Sequence, residues 1–282
     1  MKTVQLPDRT RVPVLGQGTW RMGENKRAHE DEVAALRLGI DLGLTLLDTA
    51  EMYGEGCAEK VVADAVEGQR ERVFIVTKVY PHNASRSELP KACERSLKRL
   101  RIDTIDLYLL HWRGEVPLGE TVEAFEKLRA AEKIERWGVS NFDVDDMKEL
   151  FGIKSGRNCS ANQVLYNLKN REIEFDLLPL LADHRLPITC LVMAYSPVGH
   201  GRGLLENKAL KKIAKRHDAT SAQIALAWVL RQPGVIAIPK SSNAKHVRDN
   251  ARSIEIKLTR DDLAELDQEF PPPETKQELP ML

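Results

Sequence analysis

Short apolar runs alternate with stretches of helical periodicity along almost the whole chain. The first two runs, Thr3–Leu6 and Arg11–Val14, flank the turn residues Pro7-Asp8-Arg9 and predict a small β-hairpin. Eight apolar runs with the length of buried strands form the remaining series. They cover Val14–Gln17, Leu44–Leu47, Val73–Thr77, Ile105–Leu110, Arg136–Val139, Ala161–Val164, Ile188–Ala194 and Val235–Ile238.

Helical spacing fills the intervals between these runs. In the first interval Val33, Leu36 and Ile40 recur with a period of about 3.6 residues, which predicts an amphipathic α-helix. Ser87 and Ser221 are the predicted N-caps of two later helices. The predicted helices cover Glu30–Leu42, Glu59–Val66, Ser87–Leu100, Leu118–Ala131, Asp143–Leu150, Glu172–Arg185, Asn207–His217, Ser221–Leu230, Ala244–Ala251 and Thr259–Phe270.

Strand–helix alternation of this kind favours an α/β fold with parallel strands and helical crossovers. Eight units close naturally into a (β/α)8 or TIM barrel. The competing open doubly wound sheet would need a phosphate fingerprint, and Gly16-Gln-Gly18-Thr-Trp-Arg21 lacks the third glycine of that motif. We therefore predict one barrel domain over residues 1–282, with an extended C-terminal tail over residues 271–282 that begins at Pro271-Pro-Pro273.

Composition narrows the class of protein further. The 282 residues include 42 basic and 42 acidic side chains, so there is no basic excess of the kind that nucleic-acid binding requires. The cysteines Cys57, Cys93, Cys159 and Cys190 are far apart and read as reduced thiols. Neither a signal core nor an apolar stretch of about 20 residues is present. The expectation is a cytoplasmic protein without nucleic-acid or membrane partners.

Polar side chains follow the predicted strands at the end where barrel enzymes carry their chemistry. Asp48 follows the second strand, with Tyr53 in the next loop, Lys78 follows the third and His111 the fourth. Neighbouring strands lie about 4.8 Å apart, so these groups can meet at one rim. Lys78 would pair with Asp48 and lower the pKa of Tyr53 from about 10, making a proton donor.

Each of these residues also has a purely structural reading. Asp48 could cap a turn, Lys78 could be a surface charge, Tyr53 could anchor a loop, and His111 could be a semi-buried histidine beside Trp112. Their occurrence on adjacent strands at one rim favours function, although ion-pair networks can also be structural.

Several motifs, in order, resemble the signature of the aldo-keto reductase family, in particular its compact bacterial branch of methylglyoxal and small-aldehyde reductases. The resemblance runs from the hairpin to the last helix. The motifs are Leu47-Asp48-Thr-Ala-Glu-Met-Tyr53-Gly54, Thr77-Lys78, Asp106-Leu-Tyr-Leu-Leu-His111-Trp112, Gly138-Val-Ser140-Asn141-Phe142 and Ile238-Pro-Lys240-Ser241. The resemblance implies a (β/α)8 barrel whose base is closed by the hairpin.

The resemblance implies NAD(P)H-dependent reduction of aldehydes and ketones to alcohols, with hydride from C4 of the nicotinamide and no metal. Tyr53 would be the general acid, and Lys78, held by Asp48, would lower its pKa. His111 would position the carbonyl group. Trp20 and Trp112 would be walls of the substrate pocket, or plain core aromatics. A monomer acting on a small carbonyl compound is expected.

The resemblance also implies the contacts of a bound NADPH. Ser140, Asn141 and Gln163 would bind the carboxamide, and Tyr195 would stack on the nicotinamide ring. Gly18 and Thr19 would also contact the cofactor, and Ser196, Pro197 and a glycine-rich strap over 198–203 would cover the pyrophosphate. Lys240, Ser241 and Ser242 would bind the 2′-phosphate, and Asp249 and Asn250 would approach the adenine.

Two departures from the family pattern leave finer points open. His246 stands where some members carry an arginine at the 2′-phosphate, so NADH use stays open. The loop Arg113–Pro117 is short, which predicts an open, weakly selective pocket.

Two other classes of function also remain: a nicotinamide-binding redox-sensing partner with little turnover, and a barrel isomerase with a phosphate site at Lys240-Ser241.

Overall fold

A computed structural model describes residues 1–182, 190–200 and 203–282. The chain opens with the predicted hairpin, in which β1 (Thr3–Gln5) pairs antiparallel with β2 (Arg11–Pro13). Within the described residues, eight parallel strands follow in sequence order. They are β3 (Gln17–Gly18), β4 (Leu46–Asp48), β5 (Phe74–Val79), β6 (Leu107–Leu110), β7 (Trp137–Ser140), β8 (Ala161–Leu165), β9 (Leu191–Tyr195) and β10 (Val235–Ala237).

The first and last strands of this sheet meet and close it into a barrel. The amide of Gly16 donates to Ala237 O at 2.9 Å, and the amide of Ala237 donates to Val14 O at 2.9 Å. A side chain at Gly18 would place its Cβ 2.9 Å from Ile238 O, so glycine permits this close approach. The predicted (β/α)8 barrel is thus confirmed, and the doubly wound alternative is wrong.

The hairpin closes the base of the barrel, as the resemblance implied. Leu6 and Val12 join one apolar cluster with barrel-interior side chains such as Leu46, Val76 and Met193. This packing removes apolar surface of both the hairpin and the barrel floor from water, which stabilises the closed base.

The helices lie between consecutive strands or after the last strand, and they cover the outside of the barrel. None in the described ranges is long and apolar enough to cross a membrane. They are α1 (His29–Asp41), α2 (Cys57–Val66), α3 (Leu89–Leu100), α4 (Leu118–Ala130), α5 (Val144–Gly152), α6 (Leu177–Leu181), α7 (Lys208–Arg216), α8 (Ser221–Val229), α9 (Ala244–Arg252) and α10 (Arg260–Glu269).

Both predicted serine N-caps are wrong. Helix α8 is capped one residue earlier by Thr220, which forms a reciprocal capping box with Gln223. Helix α3 starts at Leu89, and its N-cap Glu88 makes no side-chain capping bond. Thr220 rather than Ser221 is the N-cap because the glutamine at the third helical position, Gln223, completes the capping box with Thr220.

The predicted helix Glu172–Arg185 is broken into a 3-10 turn at Glu172–Glu174 and the short helix α6. Pro179 accounts for the break, because its ring clashes with the carbonyl four residues earlier in a continuous helix. Residues 183–185 of the predicted helix, and residues 188–189 of the seventh predicted strand, lie outside the described residues.

A buried acid fastens the last helix to α7. Asp262 accepts hydrogen bonds from His217 Nε2 at 2.7 Å and Thr259 N at 2.9 Å, and it pairs with Arg216. Burial alone would raise the pKa of Asp262, but these bonds outweigh it and hold that pKa below its ordinary value.

The free energy of unfolding should therefore depend on Asp262 at neutral pH. A depressed carboxyl pKa stabilises the fold above the unfolded value of about 4, and this stabilisation is lost as the pH falls through the folded value. We expect Asp262→Asn to lower the free energy of unfolding by ~1–3 kcal/mol at pH about 7. Urea denaturation at two pH values checks this, and a loss that persists undiminished in strong acid would contradict it.

Candidate active site

Four titratable side chains meet at the carboxyl ends of strands β4 to β6. Lys78 is 0% exposed, and its Nζ donates to Asp48 Oδ2 at 2.8 Å and to Thr49 O at 2.8 Å. The same ammonium donates to Tyr53 OH at 3.1 Å. His111 follows β6 directly, and its ring lies edge-on to Tyr53 with centroids 5.7 Å apart. The structure thus brings together the residues that the sequence placed at one rim.

The buried pair of Asp48 and Lys78 is held in its charged form by hydrogen bonds. Burial raises the pKa of Asp48, and the Lys78 ammonium opposes this. Burial also favours the neutral amine of Lys78, but Asp48 and Tyr53 keep the pKa of Lys78 above its ordinary value. Gln163 Nε2 donates to the second oxygen of Asp48 at 2.7 Å. A carboxylate that accepts two such bonds compensates for much of its lost hydration.

Lys78 lowers the pKa of Tyr53, as expected, but the net shift of that pKa is upward. Burial raises the pKa of Tyr53 by more than the Lys78 ammonium lowers it. The physical reason is desolvation, which disfavours the phenolate and cannot be read from the motif. Tyr53 therefore keeps its proton near neutral pH, and the ammonium makes that proton easier to release than in an equally buried phenol without a cation.

His111 is electrically neutral. Burial, with a further contribution from Lys78, holds the pKa of His111 well below its ordinary value. Its Nδ1 is buried and has no hydrogen-bond partner among the described residues. An unpaired buried N–H is costlier than an unpaired acceptor, so the proton belongs on Nε2. His111 can then donate a hydrogen bond to a carbonyl oxygen.

A second polar group lies on strands β7 to β9. Tyr195 OH donates to Asn141 Oδ1 at 3.0 Å, and Asn141 Nδ2 donates to His111 O and to Ser140 Oγ, each at 3.2 Å. Asn141 adopts a left-handed backbone with φ of 59°, which asparagine tolerates better than most residues. Burial raises the pKa of Tyr195 to about 12. The hydrogen bonds hold the Tyr195 ring at the side of the cavity.

A cavity of about 410 Å³ opens above these groups. It is lined by most of the predicted site residues, including both tryptophans predicted as pocket walls, Trp20 and Trp112. Its lining includes Gly18, Trp20, Asp48, Tyr53, His111, Trp112, Ser140, Asn141, Gln163, Tyr195, Ser196, Pro197 and Lys240. Lys78 lies directly beneath and reaches the cavity through Tyr53.

Several predicted cofactor contacts lie outside the lining of this cavity. Thr19 is fully buried, and its amide and hydroxyl both donate to Asp48 O, so it fastens β3 to the end of β4. Ser241 and Ser242 precede α9, and Ser241 Oγ accepts from Asn243 N at 3.1 Å, while Asn243 itself caps that helix.

The two residues predicted to approach the adenine lie on α9. Asp249 pairs with Lys245 at 2.9 Å, and Asn250 is buried with its carbonyl accepting from Ser253. Of the predicted strap, Val198 to His200 line the cavity, and Gly201 and Arg202 lie outside the described residues.

Five lining residues were not among the predicted site residues. Ile238 and Pro239 directly follow β10 and precede Lys240. Met52 lies next to Tyr53, and Met281 and Leu282 come from the C-terminal tail, which returns to the barrel mouth. Because Met52 directly precedes Tyr53, the sequence could have predicted that Met52 lines the cavity. The tail has neither periodicity nor a motif, so nothing in its sequence indicated this contact.

Comparisons with known proteins agree with this arrangement. Residues 14–269 match the model of the aldo/keto reductase family. The chain is 50% identical to methylglyoxal reductase YeaE of Escherichia coli, covering 100% of this chain and 99% of that protein. It is 33% identical to a glyoxal reductase of Bacillus subtilis, covering 94% and 91%.

Solved structures give the same result. The crystal structure of an aldo/keto reductase from Klebsiella pneumoniae, in complex with NADP and acetate, superimposes with a TM-score of 0.96 at 50% identity, covering 100% of this chain and 99% of that one. The family match covers nearly the whole chain, and the barrel and the tyrosine–lysine–aspartate–histidine cluster agree with it. This chain belongs to the aldo/keto reductase family.

Proposed function

We propose that this protein reduces small aldehydes and ketones to alcohols with NADPH as the reductant. One observation carries the proposal: the buried Lys78 ammonium contacts Asp48 and Tyr53 at 2.8 and 3.1 Å at the edge of an open cavity. A phenol that is protonated, buried and next to a cation is suited to donate a proton to a developing alkoxide.

The proposed steps use side chains in distinct roles. His111 Nε2–H orients the carbonyl oxygen, and Tyr53 delivers its proton to that oxygen. Lys78 stabilises the phenolate that remains, and Asp48 keeps Lys78 in place. When bound, NADPH supplies the hydride from C4 of its nicotinamide ring. This set of roles accounts for all four groups, which the isomerase hypothesis leaves unexplained.

The residues at the cavity fit a nicotinamide nucleotide. Gln163 Nε2 is occupied by Asp48, while its Oε1 accepts no hydrogen bond from any described residue, so an amide N–H of the carboxamide can donate there. The Tyr195 ring is a face on which a flat ring can stack. Lys240 is an exposed cation at the end of β10 and suits the 2′-phosphate.

The substrate class follows from the walls of the cavity. Trp20, Met52, Trp112 and Met281 are apolar or aromatic, and Lys240 is the one lysine or arginine among the described lining residues. Because Lys240 is assigned to the cofactor, we expect neutral short-chain aldehydes and 2-oxoaldehydes rather than phosphorylated ones. The names of the relatives, a methylglyoxal and a glyoxal reductase, support this choice.

A panel of purified carbonyl compounds tests the proposal. Methylglyoxal, glyoxal and an aromatic aldehyde would be compared with a phosphorylated aldehyde while NADPH absorbance is followed. Turnover of the neutral compounds is expected. Tight NADPH binding with negligible turnover of every compound would favour the redox-sensing alternative, and binding of neither nicotinamide cofactor would overturn the proposal.

Cofactor preference should depend on Lys240. We expect Lys240→Met to weaken NADPH binding by roughly ten-fold, the equivalent of one charge-assisted contact, and to change NADH binding little. His246→Arg should shift the preference further toward NADPH, because a guanidinium binds phosphate through two parallel bonds. Quenching of tryptophan fluorescence measures both, since Trp20 and Trp112 line the cavity.

An exposed lysine outside the lining provides the matched control. Lys257→Met removes the same charge, and we expect unchanged affinities for both nucleotides. If Lys240→Met weakened NADPH and NADH binding equally, the assignment of Lys240 to the 2′-phosphate would fail.

We further propose that residues 1–282 act as one barrel domain, with the tail over 271–282 as part of its cavity wall, and that the enzyme works as a monomer in the cytoplasm. Few large apolar side chains in the described residues are exposed, namely Met1, Leu42, Phe175, Met281 and Leu282, which supports the monomer. Light scattering on the purified protein tests this.

A further inference from the structure

A second buried charge cluster lies directly behind the Asp48–Lys78 pair. Glu59 on α2 is 0% exposed, Glu51 in the loop after β4 is 6% exposed, and the Arg99 side chain on α3 is 19% exposed. The proposed mechanism uses none of the three, and none lines the cavity. Burying charges is costly, so a cluster of this kind calls for a physical reason.

Glu59 connects α3 to the strand that carries Lys78. Arg99 Nε donates to Glu59 Oε2 at 2.5 Å, and Thr77 Oγ1 donates to Glu59 Oε1 at 2.7 Å. Thr77 immediately precedes Lys78, and successive side chains of a strand point to opposite faces. Thr77 therefore faces α2 while Lys78 enters the site, and a bond that fixes one also fixes the backbone of the other.

Glu51 connects the loop that carries Tyr53 to the same strand. Its amide donates to Lys78 O at 3.2 Å, and its Oε1 accepts from Tyr80 N at 2.8 Å, so both backbone and side chain hold the end of β5. Its Oε2 lies 3.9 Å from Arg99 Nη2. Arg99 thus faces both carboxylates, one on the Tyr53 loop and one on α2.

The backbone between Tyr53 and α2 needs such support. Gly54, Glu55 and Gly56 all have left-handed conformations, with φ of 55°, 52° and 83°. This conformation is unfavourable for a residue with a side chain such as Glu55. A Cβ on Gly56 would lie 2.4 Å from Arg99 Nε, so the guanidinium packs directly against this turn.

We infer that Glu59 and Arg99 are positioning residues that set the distance between Tyr53 OH and Lys78 Nζ. The inference rests on the proposed function, since the distance matters only if Tyr53 is the proton donor. The cluster links the strand of Lys78, through Thr77, and the turn after Tyr53, through its contact with Arg99, to the helices α2 and α3.

Thr77 offers the sharpest test, because valine has nearly the same shape and lacks the hydroxyl. Thr77→Val should lower kcat by ~10–100-fold, since a misplacement of about 1 Å in a reacting group can cost that much. The Kd for NADPH should stay nearly unchanged. Thr77→Ser keeps the hydroxyl and should retain most of the wild-type kcat. Glu59→Gln, which removes the charge opposite Arg99, should also lower kcat with little change in Kd.

Asp262→Asn is the matched control, because Asp262 is an equally buried, arginine-paired acid far from the cavity. It should lose stability but keep kcat. The inference is overturned if Thr77→Val and Glu59→Gln lose no more kcat than Asp262→Asn, if valine and serine at 77 behave alike, or if kcat and NADPH affinity fall together. Should Thr77→Val fail to fold, Glu59→Gln decides.

Tyr53→Phe, measured in parallel, separates this inference from the proposed function. If Tyr53→Phe turns over normally, the proposed function itself fails. If Tyr53→Phe is impaired while Thr77→Val and Glu59→Gln keep full kcat, the proposed function stands and only the positioning role fails.

Discussion

Tyr53→Phe should lower kcat by ~10²–10⁴-fold, the range for loss of a positioned general acid. This corresponds to about 3–5 kcal/mol in the activation barrier. The substitution removes one oxygen atom, which lies 3.1 Å from Lys78 Nζ, and keeps the ring that packs edge-on to His111. NADPH binding should persist, because the nucleotide contacts proposed above lie on β7 to β10.

A steady-state assay with methylglyoxal and a fluorescence titration with NADPH measure the two quantities separately. Tyr108→Phe is the matched control, since Tyr108 is fully buried on β6 and packs against Phe125 outside the site. Its kcat should equal that of the wild type. Unchanged turnover in Tyr53→Phe would refute the proposed proton donor.

Lys78→Met should abolish measurable turnover and also destabilise the fold. The substitution leaves the Asp48 carboxylate buried, 3% exposed, without its cation. Removing one partner of a buried ion pair typically lowers the free energy of unfolding by about 3–5 kcal/mol. Guanidinium denaturation gives this value, and the surface variant Lys133→Met, which breaks an exposed pair with Glu94, should leave stability nearly unchanged.

The double variant Asp48→Asn with Lys78→Met separates stability from catalysis. Without either charge, the side-chain amide introduced at position 48 can still accept a hydrogen bond from Gln163, so most of the lost stability should return. Turnover should not return, because no cation then stabilises the phenolate of Tyr53. A double variant that stayed as unstable as Lys78→Met would show that the buried charge was not the cause.

Local patterns in the sequence were sufficient to predict most of the barrel. Strand and helix periodicities depend on backbone geometry and on side chains a few residues apart, so each element shows its own signature. The errors lie where two neighbouring residues could both fill one position. Ser221 was predicted as an N-cap, but Thr220 is the N-cap because it forms a capping box with Gln223. The meeting of Asp48, Lys78 and His111 was also predictable, because parallel barrel strands end at one rim.

The sequence by itself thus determined the order of the elements, the family resemblance and which side chains stand at the rim. The tertiary structure decided the upward shift of the Tyr53 pKa, the approach of Met281 and Leu282 to the cavity, and the contact of Arg99 with Glu59. The physical reason is that desolvation and close packing sum over atoms from distant parts of the chain. A local motif records the groups that react, while their environment exists only once the barrel has closed around them.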